Sequence, residues 1–172
     1  MSRTVTLKGN PVSAIYGEPL QVGQAAPAAA GRNNAFSTAT FDVINDTQGK
    51  IRVLNFVPSL NTGICDAQTR RFNVDLDQLK EQVAVVTISV DLPFVQKNWC
   101  GAAGLEEAIM VSDYFDMAIG KAYGTYLLDL RLEQRGIVVV DAEGTVRYTE
   151  YCPEIGMHTD YDAALAAVKA LL

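Results

Sequence analysis

The sequence has 172 residues, of which 49% are hydrophobic and 20% are charged, and its formal net charge is -6. This length and apolar content predict a single domain over residues 1–172 with a substantial core, and they exclude a disordered chain. The acidic balance argues against a nucleic-acid surface, and no run of about 18 apolar residues exists that would span a membrane as a helix.

The start of the chain predicts a cytoplasmic protein. Residues 1–8 (MSRTVTLK) lack the apolar core that a secretory signal needs. The three cysteines, Cys65, Cys100 and Cys152, are too few for a disulfide scaffold. They are therefore either inert core residues or reactive thiols, and their local sequence must decide between the two.

Short elements are predicted before the first long apolar run. Residues 4–20 alternate around a Gly9-Asn10-Pro11 break, which predicts an N-terminal hairpin. Residues 23–34 are rich in Ala, Gly and Pro and predict a loop. Residues 41–44 predict a short strand.

Two apolar runs predict the centre of the fold. Residues 51–57 (IRVLNFV) and 83–90 (VAVVTISV) are typical of strands that are covered on both faces. Between them, residues 66–82 carry apolar side chains at helical spacing. A strand, a helix and a second strand in this order predict a right-handed parallel crossover.

The second half of the chain predicts further helices and an antiparallel hairpin. The predicted elements are a helix over 92–100, a strand over 109–112, a helix over 117–124, hairpin strands over 136–141 and 145–151, and a final helix over 160–172. Thr159 or Asp160 is the expected cap of the final helix. The fold class is therefore an α/β, thioredoxin-like sandwich, with a central mixed sheet flanked by helices and an N-terminal β-hairpin extension.

Cys65 lies where the first long strand has ended and a helix begins. The N-terminus of a helix presents free N–H groups and a partial positive charge, which favour a thiolate. Arg70 and Arg71 follow within two turns, and a more distant arginine is also expected to approach. Thiols in such surroundings are more reactive than free cysteine. The alternative is a small, inert cysteine buried at the start of a helix.

The residues around Cys65 resemble a known family. Pro58-x-x-x-Thr62-x-x-Cys65 is similar to the peroxiredoxin signature, and the run from Cys65 through Asn73 resembles the thiol peroxidase subfamily, the atypical 2-Cys peroxiredoxins. A second block, from Ser89 to Ala102 (SVDLPFVQKNWCGA), also resembles it. Two long blocks in the same order are a more specific signal than either motif alone.

The resemblance implies a role for each matching residue. Cys65 matches the peroxidatic cysteine and Cys100 the resolving cysteine of the same chain, while Thr62 and Pro58 match the loop residues. Arg135 matches the arginine that polarises the peroxide and stabilises the thiolate. Arg131 is an alternative for that role, because residues 127–134 depart from the family pattern. Arg135 is preferred because it directly precedes the apolar strand.

The resemblance also implies an activity and partners. Cys65 is expected to reduce hydrogen peroxide and organic hydroperoxides, to form a sulfenic acid and then a disulfide with Cys100. Thioredoxin is the expected reductant, no bound cofactor or metal is required, and a homodimer is the usual assembly. Leu60, Ile64 and Trp99 near the site suggest tolerance for alkyl hydroperoxides, or they are simply core residues.

The predicted crossover brings Cys65 and Cys100 towards each other. Each cysteine follows one of two parallel strands, so both are expected near the carboxyl edge of the sheet. Both are also expected to be helical in the reduced protein. Bond formation therefore predicts local unwinding, and oxidation is expected to loosen residues 92–100.

Two features carry no predicted chemistry. Cys152 follows a strand and precedes Pro153, and it is interpreted as a bystander thiol. His158 is the single histidine, so a zinc site of cysteines and histidines would lack ligands.

Two other kinds of function remain as alternatives. A thiol oxidoreductase or redox sensor would use the same disulfide on protein partners, although no C-x-x-C motif is present. A binding module would keep Cys65 buried and unreactive.

Overall fold

The computed structural model describes residues 3–172. Its strands and helices, in chain order, are β1 (Thr4–Leu7), β2 (Asn10–Ala14), β3 (Ala30–Gly31), β4 (Phe41–Asp42), β5 (Ile51–Phe56), α1 (Gly63–Asp75), β6 (Val83–Ser89), α2 (Pro93–Ala103), β7 (Ile109–Ser112), α3 (Ala118–Tyr123), β8 (Tyr126–Leu127), β9 (Leu132–Glu133), β10 (Gly136–Val140), β11 (Val146–Tyr151) and α4 (Tyr161–Lys169). Short 3₁₀ turns follow β4 at Asn45–Thr47 and α1 at Asp77–Leu79.

The central sheet is mixed and has five strands in the order β11-β10-β5-β6-β7. β5, β6 and β7 run parallel, whereas β10 is antiparallel to β5 and to β11. Every residue of β5 and β6 is buried, as the two apolar runs predicted, and every residue of β10 is buried as well. The parallel crossover through α1 is thus present.

Side chains alternate between the two faces of the sheet, as the pleat requires. Leu54 and Phe56 of β5 belong to the cluster that packs against α3. Val53 belongs to the cluster on the opposite face, where Phe72 of α1 and Val168 of α4 also lie. The helices therefore cover both faces of the sheet.

The N-terminal hairpin of β1 and β2 packs outside this sheet. Its turn places Lys8 and Gly9 in the left-handed region. Val5 is buried against Ile15 and Leu127, which attaches the hairpin to the body of the protein. The predicted N-terminal extension is confirmed.

Several predicted bounds were wrong. The helix predicted over 66–82 begins three residues earlier and ends at Asp75, because the chain continues as a 3₁₀ turn. The helix predicted over 92–100 extends to Ala103, where Gly104 in the left-handed region ends it. The strand predicted over 41–44 is only two residues long and leads into a 3₁₀ turn. Asp160, one of the two expected caps, accepts the backbone N–H of Ala163 at the start of α4.

Candidate active site

The topology brings two loops to one edge of the sheet. β5 and β6 are parallel, and Phe56 lies beside Ile88 at their carboxyl ends. The chain after β5 leads into α1, which carries Cys65, and the chain after β6 leads into α2, which carries Cys100. Both cysteines therefore belong to segments that leave the same edge, as the crossover predicted.

Cys65 is the third residue of α1, and its side chain is fully buried. Nη2 of Arg135 donates a hydrogen bond to Sγ of Cys65 over 3.4 Å. Arg135 directly precedes β10, the strand next to β5 in the sheet. A buried guanidinium in contact with the sulfur stabilises negative charge on it, in addition to the helix N-terminus.

The guanidinium of Arg135 is fixed by a chain of buried polar groups. Its Nη1 donates to Oε1 of Gln68 (3.1 Å), and Nη2 also donates to the carbonyl of Ile155 (3.3 Å). Gln68 in turn donates to Oδ1 of Asn55 on β5 (2.6 Å). Nε of Arg135 is buried and has no hydrogen-bond partner among residues 3–172. One donor of the guanidinium that contacts the sulfur through Nη2 is thus uncommitted.

Arg131, the alternative arginine, lies elsewhere. It occupies the turn between β8 and β9 with a left-handed φ of 52°, and its side chain is exposed. Its Nη2 donates to the carbonyl of Phe115 over 3.3 Å. Of the two arginines, the structure places Arg135 against Cys65.

Pro58 and Thr62 flank the loop that leads to Cys65. Pro58 is buried, whereas Thr62 is exposed. The hydroxyl of Thr62 donates to the carbonyl of Ser59 over 3.0 Å and makes no capping bond to α1. In this structure the Thr62 hydroxyl is therefore bonded to the loop and not to the sulfur.

Arg70 and Arg71 do not bond to Cys65 either. Both are exposed on α1 and pair with carboxylates one turn away, Arg70 with Asp66 (2.8 Å) and Arg71 with Asp75. Arg71 also pairs with Asp162 of α4 (3.0 Å). The arginine that contacts the sulfur is the distant one, 70 positions along the chain.

Cys100 has apolar surroundings. It lies on α2 in a cluster that also contains Cys65, together with Val57, Leu60, Trp99 and Met110. Burial raises the pKa of the Cys100 thiol. Cys100 also lines a cavity of about 680 Å³ between α2 and residues 33–36. All three cysteines are free thiols.

A polar link joins α1 and α2 beside this cluster. Nε1 of Trp99 donates to Oδ1 of Asp66 over 2.9 Å. The guanidinium of Arg70 lies 5.3 Å from the centre of the Trp99 ring. The hydrogen bonds from Arg70 and Trp99 hold the pKa of Asp66 below its usual range, although partial burial opposes them. Leu60 and Trp99, named as neighbours of the site, are thus buried parts of its wall.

Cys152 lies next to Arg135 across the sheet but is chemically quiet. Its backbone N–H donates to the carbonyl of Arg135 over 2.9 Å. Burial, with a smaller effect from Glu150, raises the pKa of the Cys152 thiol to about 12. Such a thiol stays protonated at neutral pH and is a poor nucleophile.

The sequence interpretation gave no role to Gln68 or Asn55. Signals for both were present. Gln68 follows Cys65 by three positions, which places both on one face of the helix. Asn55 is an amide within an otherwise apolar strand, and a buried polar group needs partners.

Comparisons with known proteins find relatives that match nearly the whole chain. Residues 22–149 match the model of the AhpC/TSA family. The chain belongs to the AhpC/TSA family. It is 46% identical to a thiol peroxidase of Halalkalibacterium halodurans, over 98% of this chain and 99% of the relative. It is 41% identical to a thiol peroxidase of Bacillus subtilis, over 98% of each. A peroxiredoxin-like protein of Aquifex aeolicus has a similar crystal structure, with a TM-score of 0.87 and 32% identity over 100% of this chain and 99% of that one.

The comparisons confirm three of the predictions. The resemblance to the thiol peroxidases, the thioredoxin-like fold and the enzyme class, a peroxide-reducing peroxidase of the peroxiredoxin type, all hold. Within residues 3–172, none of the helices has the length and apolar character needed to cross a membrane.

Proposed function

We propose that Cys65 is the peroxidatic cysteine and that the protein reduces hydrogen peroxide and organic hydroperoxides to water and alcohols. The observation that carries this is the hydrogen bond from Arg135 to a buried cysteine in the first turn of a helix. The thiolate attacks the terminal oxygen of the hydroperoxide, and water or an alcohol leaves. Cys65 becomes a sulfenic acid.

Arg135 has two roles in this proposal. Nη2 stabilises the sulfur anion before attack, and the uncommitted Nε is available to donate to a peroxide oxygen as negative charge develops on it. The hydrogen bonds to Gln68 and Ile155 hold the guanidinium in place, so that no reorganisation is needed during the reaction. Pro58 shields the sulfur, and Thr62 shapes the exposed loop from which a hydroperoxide approaches.

Cys100 is the proposed resolving cysteine. Its thiol sulfur attacks the sulfenic sulfur of Cys65, and the sulfenic oxygen leaves as water with the thiol proton. The membership of both cysteines in one apolar cluster supports this pairing. Both are helical, so the helices must partly unwind before the sulfurs bond, and residues 92–100 are expected to loosen.

A dithiol protein of the thioredoxin type is the proposed reductant. Its thiolate attacks the disulfide and releases both cysteines as thiols, while the partner becomes oxidised. We further propose that the protein works in the cytoplasm as a homodimer and contributes to antioxidant defence. The chemistry needs no bound cofactor.

Stopped-flow mixing of reduced protein with hydrogen peroxide or cumene hydroperoxide tests the proposal. Cys65→Ser is expected to abolish peroxide consumption, whereas the matched control Cys152→Ser keeps it. Cys100→Ser is expected to react once and accumulate sulfenic acid, detectable by dimedone labelling and mass spectrometry. Peroxide consumption that survives Cys65→Ser would contradict the assignment. Turnover with thioredoxin, compared with glutathione and glutaredoxin, identifies the reductant.

A further inference from the structure

The carboxylate of Asp91 joins the two segments that carry the cysteines. Asp91 lies between the end of β6 and the start of α2, on the path to Cys100. Its Oδ1 accepts the hydroxyl of Ser59 (2.8 Å), and its Oδ2 accepts the backbone N–H of Leu60 (2.8 Å). Ser59 and Leu60 belong to the loop between β5 and α1, which leads to Cys65.

The same carboxylate is tied back to α2. The hydroxyl of Ser89 donates to Oδ2 of Asp91 over 2.8 Å. Ser89 in turn accepts Nε2 of Gln96 over 3.1 Å, and both of these residues are buried. Gln96 lies four positions before Cys100, one turn away on the same face of α2. A continuous set of hydrogen bonds therefore runs from the helix of Cys100 to the loop before Cys65.

The loop is also bonded internally on the Cys65 side. The carbonyl of Ser59 accepts both the hydroxyl (3.0 Å) and the backbone N–H (3.2 Å) of Thr62, the residue that precedes α1. Asp91 thus acts on the start of the Cys65 helix through Ser59. Hydrogen bonds to a charged group are stronger than hydrogen bonds between neutral groups.

We propose that Asp91 is a positioning residue that latches the folded arrangement of the two cysteine segments and so slows disulfide formation after Cys65 is oxidised. This inference rests on the proposed function. The step it controls forms the bond between Cys65 Sγ and Cys100 Sγ, breaks the S–O bond of the sulfenic acid and releases water. Movement of the segments towards that bond strains the hydrogen bonds of Asp91, whose loss is part of the barrier.

The latch has a consequence for oxidative damage. A sulfenic acid that waits for Cys100 is exposed to a second hydroperoxide, which oxidises it to a sulfinic acid and leaves as water or alcohol. The ratio of disulfide to sulfinic acid at a given peroxide concentration therefore measures how long the latch holds. A change in the free energy of unfolding alone would not change this ratio.

Stopped-flow fluorescence measures the step directly, because Trp99 is the single tryptophan and precedes Cys100. Disulfide formation is expected to be about tenfold faster in Asp91→Ala, because this variant loses several charge-assisted hydrogen bonds. It is expected to be faster by a smaller factor in Asp91→Asn, because asparagine keeps one acceptor oxygen. The peroxide concentration that gives half sulfinic acid, read by mass spectrometry, should rise in parallel. Asp77→Asn, an exposed carboxyl change in the turn after α1, is the matched control.

Ser59→Ala removes a single bond of the set and serves if Asp91→Ala does not fold. A disulfide rate in folded Asp91→Asn and Ser59→Ala equal to or below that of the wild type would overturn the latch. Failure of the proposed function is distinguishable, because wild-type Cys65 would then not react with peroxide at all. Thermal unfolding of each variant separates a change in rate from a loss of fold.

Discussion

Cys65 and Cys100 belong to the same cluster at one edge of the sheet, yet their sulfurs have different neighbours. Sγ of Cys65 accepts a hydrogen bond from Arg135, whose guanidinium is fixed by Gln68 and the carbonyl of Ile155. Cys100 has apolar neighbours and lines a cavity, and burial raises the pKa of its thiol. One sulfur has a cationic hydrogen-bond donor, whereas burial favours the neutral form of the other. The two surroundings suit a thiol that attacks first and a thiol that attacks later.

The largest expected effect comes from removing the charge-bearing contact at Cys65. Arg135→Lys keeps a positive charge but loses the fork of donors that reaches the sulfur and Gln68 together. We expect the second-order rate constant with hydrogen peroxide to fall about a hundredfold, as when a fixed donor to a developing anion is lost. Competition kinetics against a peroxidase of known rate measures it.

Arg131→Lys is the matched control for this change. Arg131 is exposed and bonded to the carbonyl of Phe115. The rate constant of Arg131→Lys with hydrogen peroxide should therefore equal that of the wild type. A greater loss in Arg131→Lys than in Arg135→Lys would reassign the arginine.

The next largest expected effect comes from removing Gln68, which accepts a hydrogen bond from Arg135. Gln68→Leu leaves Nη1 of Arg135 and Oδ1 of Asn55 without their partner in a buried site. Each unpaired buried group costs about 1–3 kcal/mol, so we expect the free energy of unfolding to fall by about 3 kcal/mol. The rate constant with peroxide should fall about tenfold, because the guanidinium is less firmly held. Urea unfolding and stopped-flow kinetics measure the two quantities.

Gln78→Leu, in the exposed turn after α1, is the control for that substitution. It makes the same chemical change where water satisfies the neighbouring groups. A Gln68→Leu variant as stable and as fast as Gln78→Leu would show that Arg135 needs no such support.

Sequence reasoning predicted the parts of this site that depend on local signals. The strands on either side of α1 are long apolar runs, and the crossover between them places both cysteines at one edge. It missed β8 and β9, which are two residues long and pair with each other, because such short strands leave no periodic pattern. It did not predict the bond from the Thr62 hydroxyl to the carbonyl of Ser59, because that choice of partner depends on a loop geometry that periodicity does not encode.

Sequence reasoning could not predict the contacts of Asp91 for the same reason. Asp91 lies 31 and 32 positions from its partners Leu60 and Ser59. Nothing in the local sequence indicates which backbone N–H a carboxylate will accept. The preference for Arg135 over Arg131 came from its position directly before the apolar strand, and that position is what places it against Cys65.

The surroundings of Cys152 differ from those of the other two cysteines, and they predict a dependence of the free energy of unfolding on pH. Burial raises its pKa from 9.0 to about 12, so the folded protein retains a proton that the unfolded chain releases above pH 9. The stabilising effect of this neutral thiol is complete below pH 9 and is lost as pH rises towards 12. The expected slope is about 1.4 kcal/mol per pH unit in that window.

Cys152→Ala removes this contribution to the slope. Urea unfolding under reducing conditions at several values between pH 8 and pH 11 should show the wild type losing stability faster than the variant. Other buried groups titrate in both proteins, so the difference between the two curves is the quantity of interest. Parallel curves would mean that the Cys152 thiol ionises in the folded protein as it does in the unfolded chain.

The smallest expected effect comes from replacing the sulfur by oxygen at Cys65 or at Cys100. The two serine variants compare the surroundings of the two thiols. In Cys65→Ser the new hydroxyl keeps Arg135 as a hydrogen-bond donor, so the free energy of unfolding should change little. In Cys100→Ser the hydroxyl replaces a sulfur that packs in an apolar cluster and has no fixed charged donor like Arg135. We expect Cys100→Ser to be the less stable by about 1 kcal/mol. Urea unfolding of the two reduced variants at pH 7 measures the difference, and equal stabilities would show that the polar network around Arg135 does not distinguish the two sites.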